Sequence, residues 1–271
     1  MDDFLKITVM AVIQGLTEFL PVSSSGHLAL AKHFMGLESP GTTLEIFLHA
    51  GTLVAVLLFY RKKLLAILAG LFAGRRESVV YAAWVLLSMA PVAVVYAAGK
   101  DAVESQYDNP AFVAWALCAT GAVLAATAFA GGRRAKQCAD SGGGVRFKWL
   151  HALAMGAAQA AAMLPGVSRS GSTIAAATLM GVKPKEAAEF SFIMSIPVIG
   201  GAVLLDVLKM AKGAEDAAAG FAAWQYAAGA AIAGVVGLAA IKGLIALLGK
   251  GKLWGFGVYC IFVGAAALCF L

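Results

Sequence analysis

The sequence predicts an all-α polytopic membrane protein built as an inverted repeat, each half being a re-entrant broken-helix hairpin followed by three transmembrane helices, six spans in total. Of its 271 residues, 61% are hydrophobic and only 13% are charged, whereas globular proteins average about half and a quarter. Its apolar runs reach the roughly 20 residues that span a bilayer, which disfavours the alternative of a large soluble helical core. Two of these runs carry a short polar interruption, and the pattern around them occurs twice.

The first half begins with an apolar stretch, 4–37, that is broken at 21–27 by a proline, three serines and a glycine. Such a segment cannot continue a helix through lipid without partners for the freed backbone groups. We therefore predict two half-helices, 5–19 and 27–36, that enter and leave on the same side, with a single kinked span as the alternative. The first repeat is 1–131, and its three spans lie at 45–60, 79–98 and 111–131.

A basic linker, 132–148, separates the halves and contains a serine and three glycines in succession, which favour a flexible joint. The second repeat, 149–271, opens with a hairpin at 149–182 that is interrupted around Pro165. Its spans lie at 187–208, 223–247 and 253–270. Identical residues mark the repeat: Gln14, Gly26, Met35 and Gly36 match Gln159, Gly171, Met180 and Gly181.

The basic residues predict the orientation. Because each half crosses the membrane an odd number of times, the second half enters from the opposite side. Most lysines and arginines then fall on one side, which the positive-inside rule makes cytoplasmic, so that both termini lie outside. The other side carries only Lys6, Lys100, Lys209 and Lys212. The net charge of +6 therefore reflects membrane topology, and nucleic acid is excluded as a partner.

The polar residues of the two interruptions form the candidate site, because two hairpins that enter from opposite faces bring their tips together near the midplane. Arg169 lies between long apolar runs, where an unpaired charge costs at least a few kcal/mol, and its planar fork suits phosphate. Half-helices that begin near His27 and Thr173 would aim free N–H groups at a bound anion. The remaining candidates are Gln14, Glu18, Ser23, Ser24, Ser25, Ser168, Ser170 and Ser172.

Structural roles compete with chemical ones at these positions. Serines in membrane helices commonly bond to backbone, which is the preferred interpretation for Ser23, Ser25 and Ser172. Ser24 is weighed equally as a structural residue and as a nucleophile, and a structural ion pair with Glu18 is the alternative for Arg169. Glycines in the two motifs serve turns or close approach; they are Gly15, Gly166 and Gly171. Lys32 and His33 are set aside as interfacial residues, and His49 and His151 are set aside because they lack polar neighbours.

The segments 14–18, 21–27 and 165–173 closely resemble the two motifs of the bacterial undecaprenyl-diphosphate phosphatases, the bacitracin-resistance family. The resemblance covers the whole chain in length, hydropathy and order. It implies hydrolysis of undecaprenyl diphosphate to undecaprenyl phosphate and inorganic phosphate, which recycles the lipid carrier for peptidoglycan synthesis and confers bacitracin resistance, since bacitracin competes for the substrate. It also implies a site that faces outward from the bacterial inner membrane and a divalent cation, Mg²⁺ or Ca²⁺.

The resemblance assigns roles to named residues. Glu18, Ser24, His27 and Arg169 are the expected catalytic residues, with the nucleophile left open among Ser24, His27 and an activated water. Gln14 replaces a carboxylate that many family members carry, so a metal held by Glu18 and Gln14 becomes doubtful and the cation is then held mainly by substrate oxygens. The expected substrate-binding residues are Gln14, Ser23, Gly166, Ser168, Ser170, Gly171 and Thr173.

The leading alternative function is a lipid-phosphate transporter or flippase, because inverted repeats with broken helices are a transporter plan. A carrier needs Arg169 and the helix ends but has no use for a nucleophile and a base. A structural membrane subunit gives no reason for Arg169 and Glu18 at membrane depth. The oligomeric state, a homo-oligomer included, and the prenyl chain length are left open.

Overall fold

The computed structural model describes residues 3–36, 43–140, 145–211, 221–249 and 253–271, which contain α-helices joined by turns and no strand. In chain order the helices are α1 Asp3–Thr17, α2 Ser24–Met35, α3 Thr43–Phe59, α4 Arg61–Phe72, α5 Arg76–Glu104, α6 Pro110–Asp140, α7 Trp149–Ala161, α8 Arg169–Leu179, α9 Pro184–Ala211, α10 Ala223–Leu248 and α11 Leu253–Phe270. The all-α prediction is confirmed for this part of the chain.

Several of these helices are long and apolar enough to cross a membrane. Within the described ranges they are α5, the first part of α6, α9, α10 and α11, and α3 with α4 makes a sixth if this pair, bent by 72°, is counted as one span. The helix α6 extends to Asp140, past the predicted end of its span at residue 131, because the sequence there has no proline and several good helix formers. The basic linker therefore begins as helix.

Each predicted hairpin is a pair of helices separated by a short break, at 18–23 and at 162–168. Both second helices begin earlier than the predicted starts near His27 and Thr173. Ser23 caps α2 by accepting the Gly26 N–H at 3.2 Å, and Ser168 caps α8 by accepting the Gly171 N–H at 3.0 Å. As a result Ser24 and Arg169 are the first residues of helices, next to the free N–H groups of the first turn.

The helices of the two halves pack against each other. The helix α1 lies against α10, α7 lies against α5, and α6 lies against α11. Small residues allow the backbones to come close: a Cβ atom on Gly51 would lie 2.1 Å from the Ala230 carbonyl oxygen, and one on Gly156 would lie 2.4 Å from that of Ser88. This exchange brings the two breaks together, and the Ser170 hydroxyl donates to the Leu20 carbonyl at 3.0 Å.

Candidate active site

A cavity of about 140 Å³ lies where the two breaks meet. The first break and its flanks supply Thr17, Glu18, Ser23, Ser24 and Ser25; the second supplies Ala162, Val167, Ser168, Arg169 and Ser170; three further residues, His49 of α3, Tyr107 of the α5–α6 turn and Ile199 of α9, complete the wall. Both predicted tips therefore contribute to one site, as the sequence indicated.

The Glu18 carboxylate connects the two halves of the site. One of its oxygens pairs with the Arg169 guanidinium, and the other accepts the Ser24 hydroxyl at 2.6 Å and the Gln14 amide N–H at 3.2 Å. Only 6% of the Glu18 side chain is exposed. A carboxylate held by a cation and two donors stays ionised and can accept a proton from one partner only, the Ser24 hydroxyl.

One terminal nitrogen of the Arg169 guanidinium has no hydrogen-bond partner in the described structure. Its Nη2 group donates to Glu18, whereas its Nη1 is buried and has no hydrogen-bond partner in the described structure. A buried guanidinium donor without an acceptor is costly, and Arg169 lines the cavity. The free donor is therefore available to an anionic oxygen, and the ion pair with Glu18 does not use up the arginine.

The second break surrounds Arg169 with polar groups. Ser168 and Ser170 line the cavity, and their hydroxyl oxygens lie 3.4 Å apart. The Ser168 N–H donates to the Thr120 hydroxyl at 3.1 Å, and the same hydroxyl donates to the Gly166 carbonyl at 3.0 Å. Gly166 has a φ of 91°, and a Cβ there would lie 2.4 Å from the Val113 carbonyl oxygen, so this position requires glycine.

Two predicted substrate-binding residues of α8 have structural contacts instead. The Thr173 hydroxyl lies 2.7 Å from both the Arg169 carbonyl and the Ser191 hydroxyl and is fully buried. Gly171 donates its N–H to the cap Ser168. Neither residue lines the cavity, so both support the α8 terminus that carries Arg169.

The first break presents Ser24 to the cavity. Ser23 has a φ of 70°, unusual for a residue with a side chain, and strained backbone of this kind is concentrated at functional sites. Its hydroxyl lies 3.3 Å from that of Ser25. The turn leaves Ser24 at the start of α2 with its hydroxyl on Glu18, whereas Ser23 caps the helix as the structural interpretation expected.

His27 lies outside the cavity. Its Nδ1 is 2.8 Å from the Ser23 carbonyl and its Nε2 is 2.9 Å from the Tyr259 hydroxyl, and the ring stacks on Tyr259. The carbonyl can only accept, so Nδ1 donates and Nε2 accepts from Tyr259. With both nitrogens engaged, His27 fastens the first break to α11 and is not placed to take a proton from Ser24.

His49 stands in the cavity instead. The sequence interpretation set this residue aside for want of polar neighbours, and that was wrong: its Nε2 lies 3.8 Å from a Glu18 oxygen. No sequence signal identifies it, because its partner Glu18 belongs to the first break, which is distant in the chain. The sequence interpretation also missed Tyr107, which lies in the wall of the cavity and whose hydroxyl is 3.4 Å from the Met163 carbonyl.

The residues present do not fit a divalent metal held by the protein. Among the described residues no three His, Cys, Asp or Glu side chains are grouped closely enough to bind one. Glu18 is the one acidic residue in the described wall, and its two oxygens already bond Arg169, Ser24 and Gln14. Gln14 faces Glu18 through its amide nitrogen, which is not a cation ligand, so only its unpartnered carbonyl oxygen could add to a cation site, and one amide oxygen does not make such a site.

Fold and site together define the class of protein: a multi-helix membrane protein in which two broken helix pairs enclose an arginine, a buried carboxylate and serine hydroxyls. The sequence from residue 7 to residue 266 matches the family of the bacitracin resistance protein BacA. The chain belongs to this family, and the resemblance seen in its motifs is confirmed.

Several relatives match along nearly their whole length. The chain is 38% identical to a protein of Rubrobacter xylanophilus, over 96% of this chain and 95% of the relative. It is 37% identical to one of Parabacteroides distasonis, over 98% and 97%, and 36% identical to one of Syntrophotalea carbinolica, over 96% of both. Each of these relatives is named undecaprenyl-diphosphatase.

Proposed function

We propose that this chain is an integral membrane phosphatase that hydrolyses undecaprenyl diphosphate to undecaprenyl phosphate and inorganic phosphate. The observation that supports this function most strongly is the chain of contacts from the Ser24 hydroxyl through Glu18 to Arg169. It joins a nucleophile, a proton acceptor and an anion-binding group in one cavity. Membership of a family whose relatives are named undecaprenyl-diphosphatase supports the same substrate.

The terminal phosphate binds between the two helix starts. The unpartnered Nη1 of Arg169 donates to a phosphate oxygen, and the Ser168 hydroxyl donates to another, since the Ser170 hydroxyl already donates to the Leu20 carbonyl. The first residues of α2 and α8, Ser24 and Arg169, both line the cavity, so the positive ends of two helices favour the anion. The prenyl chain stays in lipid.

Ser24 attacks the terminal phosphorus. As its oxygen forms the new bond, its proton passes to the Glu18 oxygen 2.6 Å away, and the anhydride bond breaks with its electron pair going to undecaprenyl phosphate. Arg169 stabilises the charge that develops on the transferred group. Water then attacks the phosphoserine, inorganic phosphate leaves, and Ser24 recovers its proton.

Apart from the attacking water, the proposed steps use only groups of the chain. If the reaction requires Mg²⁺ or Ca²⁺, the cation enters on the oxygens of the diphosphate, because Glu18 and Gln14 do not form a binding site for it. We then expect KM to depend on the cation concentration, because the lipid–cation complex is the substrate. The full kcat is reached when that complex saturates the enzyme.

The topology proposed for the membrane is the six-span inverted repeat, with both termini outside and the cavity open to the outer side of the bacterial inner membrane. The exchanged packing of α1 on α10 and of α7 on α5 supports the repeat. The α5–α6 turn lies on the side predicted to be outside, and its Tyr107 lines the cavity. A site on this face meets substrate released by cell-wall synthesis, and its product escapes bacitracin, which competes for the diphosphate.

The transporter alternative is not favoured. A carrier for the same lipid has no use for a serine hydroxyl bonded to a buried carboxylate, and the relatives carry a hydrolase name.

The test is phosphate release from a polyprenyl diphosphate by the purified protein in detergent, with and without Mg²⁺ or Ca²⁺. Ser24→Ala and Arg169→Ala are each expected to lower kcat/KM roughly 10³-fold or more, as removal of a nucleophile or a transition-state donor does. Ser105→Ala, a change at an exposed serine outside the cavity, is the matched control. Mass spectrometry of acid-quenched enzyme should find phosphate on Ser24. A folded wild-type protein that binds the lipid and releases no phosphate contradicts the proposal.

A further inference from the structure

The histidine in the cavity wall has its ring fixed by its own helix. His49 Nδ1 lies 2.8 Å from the carbonyl oxygen of Glu45, one turn earlier in α3. Because a carbonyl oxygen can only accept, Nδ1 carries the hydrogen, and in the neutral ring the lone pair is on Nε2. The tautomer that can accept a proton at Nε2 is thus set by backbone geometry, without any second side chain.

This free nitrogen faces the acceptor of the proposed reaction. His49 Nε2 lies 3.8 Å from the Glu18 oxygen that accepts the Ser24 hydroxyl at 2.6 Å. Ser24 and His49 therefore share one carboxylate oxygen, and the other oxygen belongs to Arg169. His49 is the more exposed neighbour of Glu18, since 32% of its side chain is exposed against 6% for Glu18.

The charges around His49 come from several elements. Glu18 of the first break faces its Nε2, and Arg169 of α8 lies behind Glu18. Glu45 of α3 is neutralised by an ion pair with Lys32 of α2. The α5–α6 turn adds the phenol of Tyr107, and α9 adds only the apolar Ile199 to the cavity wall. Glu18 is thus the carboxylate in direct reach of the imidazole.

We propose that His49 is a positioning residue that acts through Glu18: its Nε2 takes over the proton that Glu18 receives from Ser24 and, once protonated, holds the restored carboxylate in place. This inference rests on the proposed function. When the Ser24 oxygen bonds to phosphorus and undecaprenyl phosphate leaves with the electron pair, the proton moves from Ser24 to Glu18 and on to Nε2. During hydrolysis of the phosphoserine, water bonds to phosphorus as the bond to the Ser24 oxygen breaks, and the proton on Nε2 returns through Glu18 to that oxygen. The released phosphate keeps one hydrogen of the attacking water and the other leaves to solvent, so that His49 ends the cycle neutral.

Glu18 is expected to pass its proton on because it forms an ion pair with Arg169. A protonated Glu18 would leave a guanidinium with only 15% side-chain exposure beside a neutral acid, and an uncompensated buried charge is unfavourable. Passing the proton to a partly exposed imidazole restores the carboxylate while the phosphoryl group is transferred. His27 cannot serve, because both of its ring nitrogens are bonded elsewhere.

The test compares His49→Gln with His33→Gln, a change at an exposed histidine outside the cavity. Glutamine reaches toward Glu18 with an amide but accepts no proton. Phosphate release from a polyprenyl diphosphate is measured as kcat and KM across about pH 5–8, the range in which an imidazole changes charge. We expect His49→Gln to lower kcat on the order of 100-fold, the low end for a proton-transfer group, with KM within about 2-fold of wild type and the histidine-dependent rise of kcat with pH removed.

A second variant separates chemistry from structure. His49→Ala leaves space in the wall, and added imidazole is expected to restore a substantial part of kcat, whereas it should not affect wild type or Ser24→Ala. Wild-type kcat and an unchanged pH profile in His49→Gln would overturn the inference while leaving the phosphatase intact. The inference would also be overturned if His49→Ala lost kcat without rescue by imidazole and His49→Gln kept the wild-type pH profile. An inactive wild type would instead overturn the proposed function itself.

Discussion

Replacing Glu18 by glutamine tests the centre of the site with little change of shape. The amide oxygen can still accept the Ser24 hydroxyl hydrogen bond, but it takes no proton, so kcat is expected to fall about 10²- to 10⁴-fold, the usual contribution of a general base. KM should hold or fall, because Arg169 loses its internal partner and becomes more available to phosphate. The effect on catalysis is therefore expected in kcat.

The same change carries a stability effect that the burial of the pair allows us to estimate. Glu18 and Arg169 have side-chain exposures of 6% and 15%, and removing one partner of such a pair costs about 3–5 kcal/mol. At roughly 2–4 °C per kcal/mol for a chain of this size, the unfolding midpoint should drop by roughly 6–20 °C. Removing both charges leaves no unpaired ion, so Glu18→Gln with Arg169→Gln should melt above the single variant.

The assay is thermal unfolding in detergent for the wild type, both single variants and the double variant, alongside steady-state phosphate release. A double-variant cycle isolates the interaction of the two side chains. The reasoning is refuted if Glu18→Gln melts within about 2 °C of wild type, or if the two single losses simply add in the double variant. A kcat within 10-fold of wild type would remove Glu18 as the proton acceptor.

Two further changes test the supports of the site. Tyr259→Phe keeps the ring that stacks on His27 but removes the hydroxyl bonded to its Nε2. The loss of this hydrogen bond should lower the free energy of unfolding by about 1 kcal/mol, seen as a lower unfolding midpoint, and an unchanged midpoint would show that His27 does not need this anchor. Gly51→Ala places a Cβ 2.1 Å from the Ala230 carbonyl oxygen, so the unfolding midpoint should fall by the equivalent of about 1–3 kcal/mol. Gly243→Ala, which meets nothing within 4 Å, is the control, and an equal midpoint for both variants would contradict the close packing of α3 on α10.

Much of the site could be predicted from local sequence. Several proline, serine and glycine residues close together in an apolar run disfavour a continuous helix, and for this reason both breaks and their polar residues are visible in the chain. Arg169 and Glu18 are conspicuous because charges are rare at membrane depth. Even the spacing of Gln14 and Glu18, one helical turn apart, anticipates their hydrogen bond.

The first residues of α2 and α8 could not be predicted as well from the sequence. Ser23 and Ser168 act as N-caps, which moves Ser24 and Arg169 from the loop into the first turn of a helix. In a run of hydroxyl residues several positions can cap, and the choice depends on the backbone turn that precedes each one. Packing decides that turn: a Cβ on Gly166 would lie 2.4 Å from the Val113 carbonyl oxygen in α6, so the close approach of α6 shapes the second break.

The sequence by itself determined that this chain is a membrane protein with two polar breaks and an arginine between them, since these features depend on composition and local backbone chemistry. The tertiary structure alone decided which histidine faces the site. In a soluble helix the apolar stripe shows which side is buried, but α3 is apolar nearly all round, so periodicity does not reveal the direction of His49. The packing of α3 against α9, α10 and α1 turns it toward Glu18, and the contact with Tyr259 of α11 turns His27 away.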